Sequence, residues 1–89
     1  MNKKLLDFVQ SNKPLFWDIP ADRLDGLSTS SIVERILSYG DMPEINDLVR
    51  ILTISETHRI FNELKAKPRN NFRPATIALF DRIFARYDV

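Results

Sequence analysis

The chain has 89 residues, of which 44% are hydrophobic and 28% are charged, a composition typical of one globular domain spanning residues 1–89. It contains no cysteine, which excludes a disulfide framework, a thiol nucleophile and a thiolate metal site. The net charge of +1 is unevenly divided, because residues 1–64 hold seven basic and ten acidic residues while residues 65–89 hold six basic and two acidic ones. The C-terminal quarter is therefore the basic end of the chain.

Apolar residues recur at helical spacing along nearly the whole chain, so we predict an all-α fold, a small bundle of four to five short helices. Residues 1–14 are expected to form an N-terminal helix, Lys3 to Ser11, followed by a loop, and residues 15–89 to form the helical core. Because Asp7 and Gln10 interrupt its apolar run, the first helix does not match a secretion signal. We expect a cytoplasmic protein without membrane contact.

A short helical segment is predicted next, from Pro20 to Asp25. Asp18 is a candidate N-cap for it, since a carboxylate accepts the free N–H groups of a first turn. Gly26 is expected to close the segment.

The stretch before this segment contains the only tryptophan, Trp17, directly after Phe16. We expect both rings to anchor the N-terminal segment on the bundle, because large aromatic side chains are usually buried. The alternative is an exposed Trp17, surrounded by Asp18, Asp22 and Arg23, that marks a docking surface. The candidate partner-binding residues are Phe16, Trp17, Asp18 and Arg23.

Two helices joined by a very short turn are predicted after residue 28. Ser28 to Ser30 offer hydroxyl N-caps for the first of them, and Gly40 is expected to end it in the left-handed conformation. The stretch D-M-P-E, Asp41 to Glu44, matches a capping box for the second.

Glu34 and Arg35 are neighbours in the first of these helices and cannot face each other on its surface. Each must find a partner elsewhere. With Asp41 they are expected to form a structural ion-pair network around the tight turn.

Two further helices complete the prediction. Thr53 or Ser55 can cap the first, which runs to Ala66, and Pro74 opens the second. Four aromatic residues near the C-terminus either complete the core of a monomer or form a dimer seam, and these are Phe72, Phe80, Phe84 and Tyr87.

The stretch from Leu48 to Lys65 is similar to the helix-turn-helix unit of DNA-binding proteins, with Thr53 in place of the usual turn glycine. In that unit the residues four and eight positions after the one matching Ser55 are buried. Here the apolar residues lie one position later in each case. A one-residue insertion would be needed to restore the register of that unit. We therefore favour two helices that simply pack in a bundle. The residues at the expected positions are Arg59 and Glu63, and the apolar ones are Ile60 and Leu64.

No residue pattern indicates catalysis. His58 is the sole histidine, and two distant glycines cannot build a phosphate-binding loop or a dinucleotide fingerprint. Two pairs of carboxylates at helical spacing, Asp22 with Asp25 and Glu44 with Asp47, are better explained by the helix macrodipole than by acid–base chemistry. We expect no enzyme activity, no cofactor and no metal.

The basic C-terminal segment carries the residues suited to phosphate contact, beside Asn70, Asn71 and Phe72. A solvated helix end attracts the same charges, so nucleic-acid contact is the second interpretation. The candidate residues are Lys65, Lys67, Arg69, Arg73, Arg82 and Arg86.

Three pieces of the sequence, L-F-W-D at Leu15 to Asp18, L-D at Leu24-Asp25 and I-V-E-R-I-L-S-Y-G-D at Ile32 to Asp41, together resemble a family of small bacterial helical proteins. The pattern of that family reads L-F-W-D, L-D, and then I-E-R-x-L-x-Y-G-D before further helices. The similarity extends in helix order to residue 84. Two features depart from the pattern, the spacer rich in Ser and Thr from Gly26 to Ser31, and Arg73 in place of a capping serine.

Members of that family are often encoded beside nucleotidyltransferase-type toxins of abortive-infection systems, and no catalytic residues are assigned in them. The resemblance implies a non-catalytic binding protein, an interaction or antitoxin-like partner of a neighbouring gene product such as that toxin. The alternative is a small DNA-binding transcriptional regulator that uses the basic C-terminal segment. The sequence leaves homo-oligomerisation open.

Overall fold

The computed structural model describes residues 3–88, and the predicted all-α bundle is confirmed. Its five α-helices are α1 (Lys3–Ser11), α2 (Thr29–Tyr39), α3 (Met42–Leu52), α4 (Ile54–Lys65) and α5 (Pro74–Tyr87). Two short 3₁₀ segments, Lys13–Phe16 and Ala21–Gly26, connect α1 to α2. Within residues 3–88 no helix combines the length and the apolar character needed to cross a bilayer.

One hydrophobic core joins all five helices, and α4 lies at its centre against α2, α3 and α5. Phe61 of α4 is fully buried, and its ring lies 5.3 Å from those of Phe72 and Phe84 and 5.9 Å from that of Phe80, measured between centroids. These three phenylalanines therefore complete the core of the single chain. Tyr87, the fourth aromatic residue of that group, is exposed.

The turn between α2 and α3 follows the predicted capping but not the predicted backbone. Ser28 caps α2 by accepting the N–H of Ser31, and the backbone N–H of Asp41 donates to Glu44 at 2.9 Å in the capping box. The left-handed conformation expected at Gly40 is wrong, since its φ is −79°. Glycine is needed there because a Cβ would lie 2.7 Å from the carbonyl oxygen of Ile36.

Thr53 joins α3 to α4 with φ 77° and ψ 155°, a region that essentially only glycine occupies without strain. Its hydroxyl caps α4 by accepting the N–H of Glu56 at 3.2 Å. In α4 the residues Ile60 and Leu64 are buried while Arg59 and Glu63 are exposed. The apolar register of α4 thus differs from that of a helix-turn-helix unit, as the sequence predicted.

We expect Thr53→Gly to raise the free energy of unfolding by about 1 kcal/mol. Relief of a strained backbone contributes roughly 1–3 kcal/mol, and it outweighs the smaller losses of the cap and of unfolded-chain entropy. Thr53→Ala keeps the strain and removes the cap, so it should lower stability by about 1 kcal/mol. Urea denaturation checks both values, and a loss of stability in Thr53→Gly would contradict the assignment of strain.

Candidate binding groove

The segment between α1 and α2 places two adjacent aromatic rings in opposite environments. Phe16 ends the first 3₁₀ segment and is 2% exposed, whereas Trp17 is 81% exposed. The expectation that both rings anchor the segment is therefore wrong for Trp17. Phe16 is also a candidate partner-binding residue, but its buried ring offers no surface to a partner.

Asp18 binds Arg35 of α2 instead of capping the following turns. The guanidinium donates from both terminal nitrogens to the two carboxylate oxygens, at 2.6 and 3.2 Å, and also to the carbonyl oxygen of Leu15 at 3.3 Å. The predicted N-cap is wrong, since the cap position of the segment Ala21–Gly26 is Pro20. Because both ends of the ion pair are held, it fastens the L-F-W-D stretch to α2.

Arg35 also covers the buried ring of Phe16, with its Cζ 5.7 Å from the ring centroid. Its side chain is 20% exposed, so most of the side chain is shielded from water. The hydrogen bonds from Arg35 hold the pKa of the Asp18 carboxyl below its ordinary value. The pair is therefore charged at neutral pH.

Glu34 finds its partner in the loop before α5, where the side-chain amide of Asn71 donates to it at 2.9 Å. Asp41 serves the capping box of α3. The ion-pair network expected among Glu34, Arg35 and Asp41 is thus wrong, because each residue faces a different neighbour.

A groove of about 430 Å³ opens between the L-F-W-D stretch and α2, and we call it the Trp17–Tyr39 groove. Ser31, Arg35 and Tyr39 recur every four residues and so share the face of α2 that borders it. Tyr39 is 57% exposed. The complete lining is Trp17, Asp18, Ile19, Leu27, Ser31, Glu34, Arg35, Tyr39 and Asn71.

The groove therefore unites the two most specific pieces of the sequence pattern, L-F-W-D and E-R-x-L-x-Y-G-D. Of the candidate partner-binding residues, Trp17 and Asp18 line it, whereas Arg23 lies exposed on the second 3₁₀ segment. Tyr39 and Asn71 also line the groove but were not predicted as binding residues from the sequence. The i, i+4 spacing of Arg35 and Tyr39 gives a signal for the first, but no local pattern links Asn71 to a residue 37 positions earlier.

The ion pair gives an acid-dependent prediction. The pKa of the Asp18 carboxyl is lower in the folded chain than in the unfolded chain, where it is near 3.9. The ion pair therefore stabilises the fold fully above the unfolded pKa, and this contribution is lost as the pH falls through the folded pKa. We expect Asp18→Asn to have a lower urea midpoint than the wild type at pH 7, and the gap to narrow by pH 3. Asp22→Asn is the matched control, since no ion pair of Asp22 occurs within residues 3–88. A gap independent of pH would contradict the role of the charge.

The six basic candidates do not form one cluster. Lys65 pairs with Asp81 of α5 at 2.5 Å, and Arg86 lies over the ring of Tyr87 at 5.6 Å from its centroid. Arg73 occupies the N-cap position of α5 without a side-chain cap, and roughly 20 Å of helix separates it from Arg86. The other three, Lys67, Arg69 and Arg82, are exposed and have no ion pair in the described part of the chain.

His58 lies in a polar cluster outside the Trp17–Tyr39 groove. Its ring stacks on Phe84 at 4.7 Å between centroids, and its Nδ1 lies 2.7 Å from Asp88, which also accepts the hydroxyl of Ser55 at 2.7 Å. These bonds hold the pKa of Asp88 below its ordinary value, Ser55 contributing most. Ser55 bonds to the carboxylate and not to the imidazole, so this is not a nucleophilic triad. The bonds of Asp88 to Ser55 and His58 tie the C-terminal end of α5 to the beginning of α4.

The remaining acidic candidates do not assemble into a reactive site either, because Glu44 serves its capping box and Asp22, Asp25 and Asp47 are exposed. Across residues 3–88, no three side chains of the metal-ligating types converge to hold an ion. The Trp17–Tyr39 groove brings two exposed aromatic rings together with three charged side chains, Asp18, Glu34 and Arg35. Comparisons of the chain with protein-family models, with curated proteins and with solved structures find no match.

Proposed function

We propose that the protein acts by binding and not by catalysis, and that a protein partner docks on the Trp17–Tyr39 groove. The observation that carries the proposal is the 81% exposure of Trp17 in a groove that the exposed Tyr39 also lines. Burial of such a ring is worth on the order of 3 kcal/mol, which the isolated chain does not gain. Tryptophan and tyrosine are also the residues most enriched among interface hot spots.

The resemblance supports a specific partner. It is carried by the stretches at Leu15 to Asp18 and Ile32 to Asp41, and these stretches supply most of the groove lining. Family members are often encoded beside nucleotidyltransferase-type toxins, so we propose an antitoxin-like or accessory role toward such a neighbouring gene product in the cytoplasm.

The test is co-expression with the products of the adjacent genes, with the tag placed on the neighbour only and purification at low and at high salt. We expect the protein to co-purify at both, and Trp17→Ala to weaken association by roughly 30-fold or more, as a hot-spot truncation does. Leu79→Ala is the matched control, because Leu79 is an exposed apolar residue on α5, outside the groove. Absence of association with every neighbour would overturn the proposal.

A second candidate function is a DNA-binding regulator. The observation in its favour is the group of exposed cations, Lys67, Arg69 and Arg73, where α5 begins. Phosphate contacts release counterions, so binding to the upstream DNA of its own gene should weaken steeply between about 50 and 200 mM salt. Binding that Lys67→Gln with Arg69→Gln leaves unchanged would count against this candidate.

A further inference from the structure

We infer that the Trp17–Tyr39 groove recognises a cationic side chain, lysine or arginine, on the protein that docks there. The inference rests on the proposed function and adds the chemistry of the partner. It follows from which groups in the groove are already engaged and which are free.

The positive group of the groove is engaged. Arg35 directs its terminal nitrogens at Asp18 and at the carbonyl oxygen of Leu15, and its guanidinium lies over the ring of Phe16. An anionic ligand would have to compete with a bidentate carboxylate already in place. The groove is therefore poorly suited to a phosphate or a carboxylate of the partner.

The second carboxylate of the groove has no cation. Glu34 accepts one hydrogen bond from the neutral amide of Asn71, and no ion pair involving Glu34 occurs within residues 3–88. Two carboxylates and one guanidinium line the groove, so its formal charge is −1. Charge complementarity then favours a cation as the occupant.

Two exposed rings line the same groove as this uncompensated carboxylate. Trp17 and Tyr39 offer the ring types whose faces attract ammonium and guanidinium groups most strongly. The volume of about 430 Å³ lies within the range of ligand pockets, so an inserted side chain can contact the rings and the carboxylate together. Aromatic faces combined with one free carboxylate match a lysine or arginine better than any neutral side chain.

Trp17 is the sole tryptophan, so its fluorescence reports on the groove directly. The probe is the tripeptide acetyl-Gly-Arg-Gly-amide, and its control is the same peptide with citrulline, the neutral isostere of arginine. We expect a saturable change with the arginine peptide at a Kd on the order of 10 mM, as befits a single side chain, and at least about fivefold weaker binding of the citrulline peptide. Equal responses to both peptides, or no saturable response to either, would overturn the inference.

Glu34→Gln removes the charge while it retains an oxygen for Asn71, so the fold is expected to remain intact. This variant should bind the arginine peptide at least about fivefold more weakly than the wild type. Asp22→Asn changes an exposed acid outside the groove and should leave the affinity for the peptide unchanged. The same variants in the co-purification assay separate the two proposals. If Trp17→Ala disrupts the complex and Glu34→Gln does not, a partner docks on the groove but the inference that it inserts a cation is contradicted. If no neighbour associates, the proposed function is contradicted, whatever the peptides show.

Discussion

Phe61→Ala is expected to lower the free energy of unfolding by about 3–5 kcal/mol, the largest loss we expect from any single substitution in the chain. Phe61 is fully buried at the centre of the bundle and touches the rings of Phe72, Phe80 and Phe84. Truncation removes its own burial and leaves a cavity that the short helices can close only in part. A domain of this size has roughly 4–13 kcal/mol of stability, so the variant is expected to be partly unfolded at 37 °C.

Two further variants make this prediction measurable even if Phe61→Ala does not fold. Phe61→Leu keeps an apolar side chain and should lose about 1–2 kcal/mol, and Tyr87→Ala, an exposed aromatic residue on α5, should change stability by less than about 0.5 kcal/mol. Far-ultraviolet circular dichroism against urea gives all three values. A loss below about 1 kcal/mol for Phe61→Ala would contradict the central position of that ring.

The helices follow from local chemistry, which is why they could be predicted. Ser28 and the Asp41–Glu44 box supply the N–H acceptors of α2 and α3 from residues within one turn, and the periodicity of α4 places Ile60 and Leu64 on its buried face. The backbone of Gly40 was predicted less well. Both a left-handed residue and a close approach to a carbonyl require glycine, and the sequence does not distinguish these two requirements.

The groove could be predicted only in part, because its contacts join distant residues. Trp17 and Phe16 are neighbours of similar hydrophobicity, and the side that each ring faces depends on the 3₁₀ segment Lys13–Phe16. The bond from Arg35 to Asp18 spans 17 positions and that from Asn71 to Glu34 spans 37. No helical period relates such positions, so the charge partners become visible only in the folded chain.

The ion pair bears on how the groove would bind. With Asp18 and the Leu15 carbonyl both held by Arg35, the backbone on either side of Trp17 is fixed before a partner arrives. A preorganised side chain loses less conformational entropy on binding than a mobile one. Arg35→Met should therefore weaken the binding of a partner, even though the guanidinium of Arg35 is already engaged and does not need to contact that partner.

Gly40→Ala is expected to lower the free energy of unfolding by about 1–3 kcal/mol and the Tm by roughly 5–15 °C. The new Cβ would lie 2.7 Å from the carbonyl oxygen of Ile36, which already accepts the N–H of Gly40 at 2.8 Å. That oxygen is backbone, so the end of α2 must shift to make room. The gain from a stiffer unfolded chain, about 0.4–1 kcal/mol, is smaller than this cost.

Gly26→Ala is the matched control because nothing lies within 4 Å of a Cβ at Gly26 and its φ is not positive. In this variant only the conformational entropy of the unfolded chain is reduced, so the free energy of unfolding should rise by about 0.4–1 kcal/mol. Opposite signs in thermal denaturation would show that close approach, and not a left-handed backbone, requires glycine at position 40. Since Tyr39 directly precedes Gly40, the same shift would also move one wall of the Trp17–Tyr39 groove, and Gly40→Ala should weaken partner association where Gly26→Ala does not.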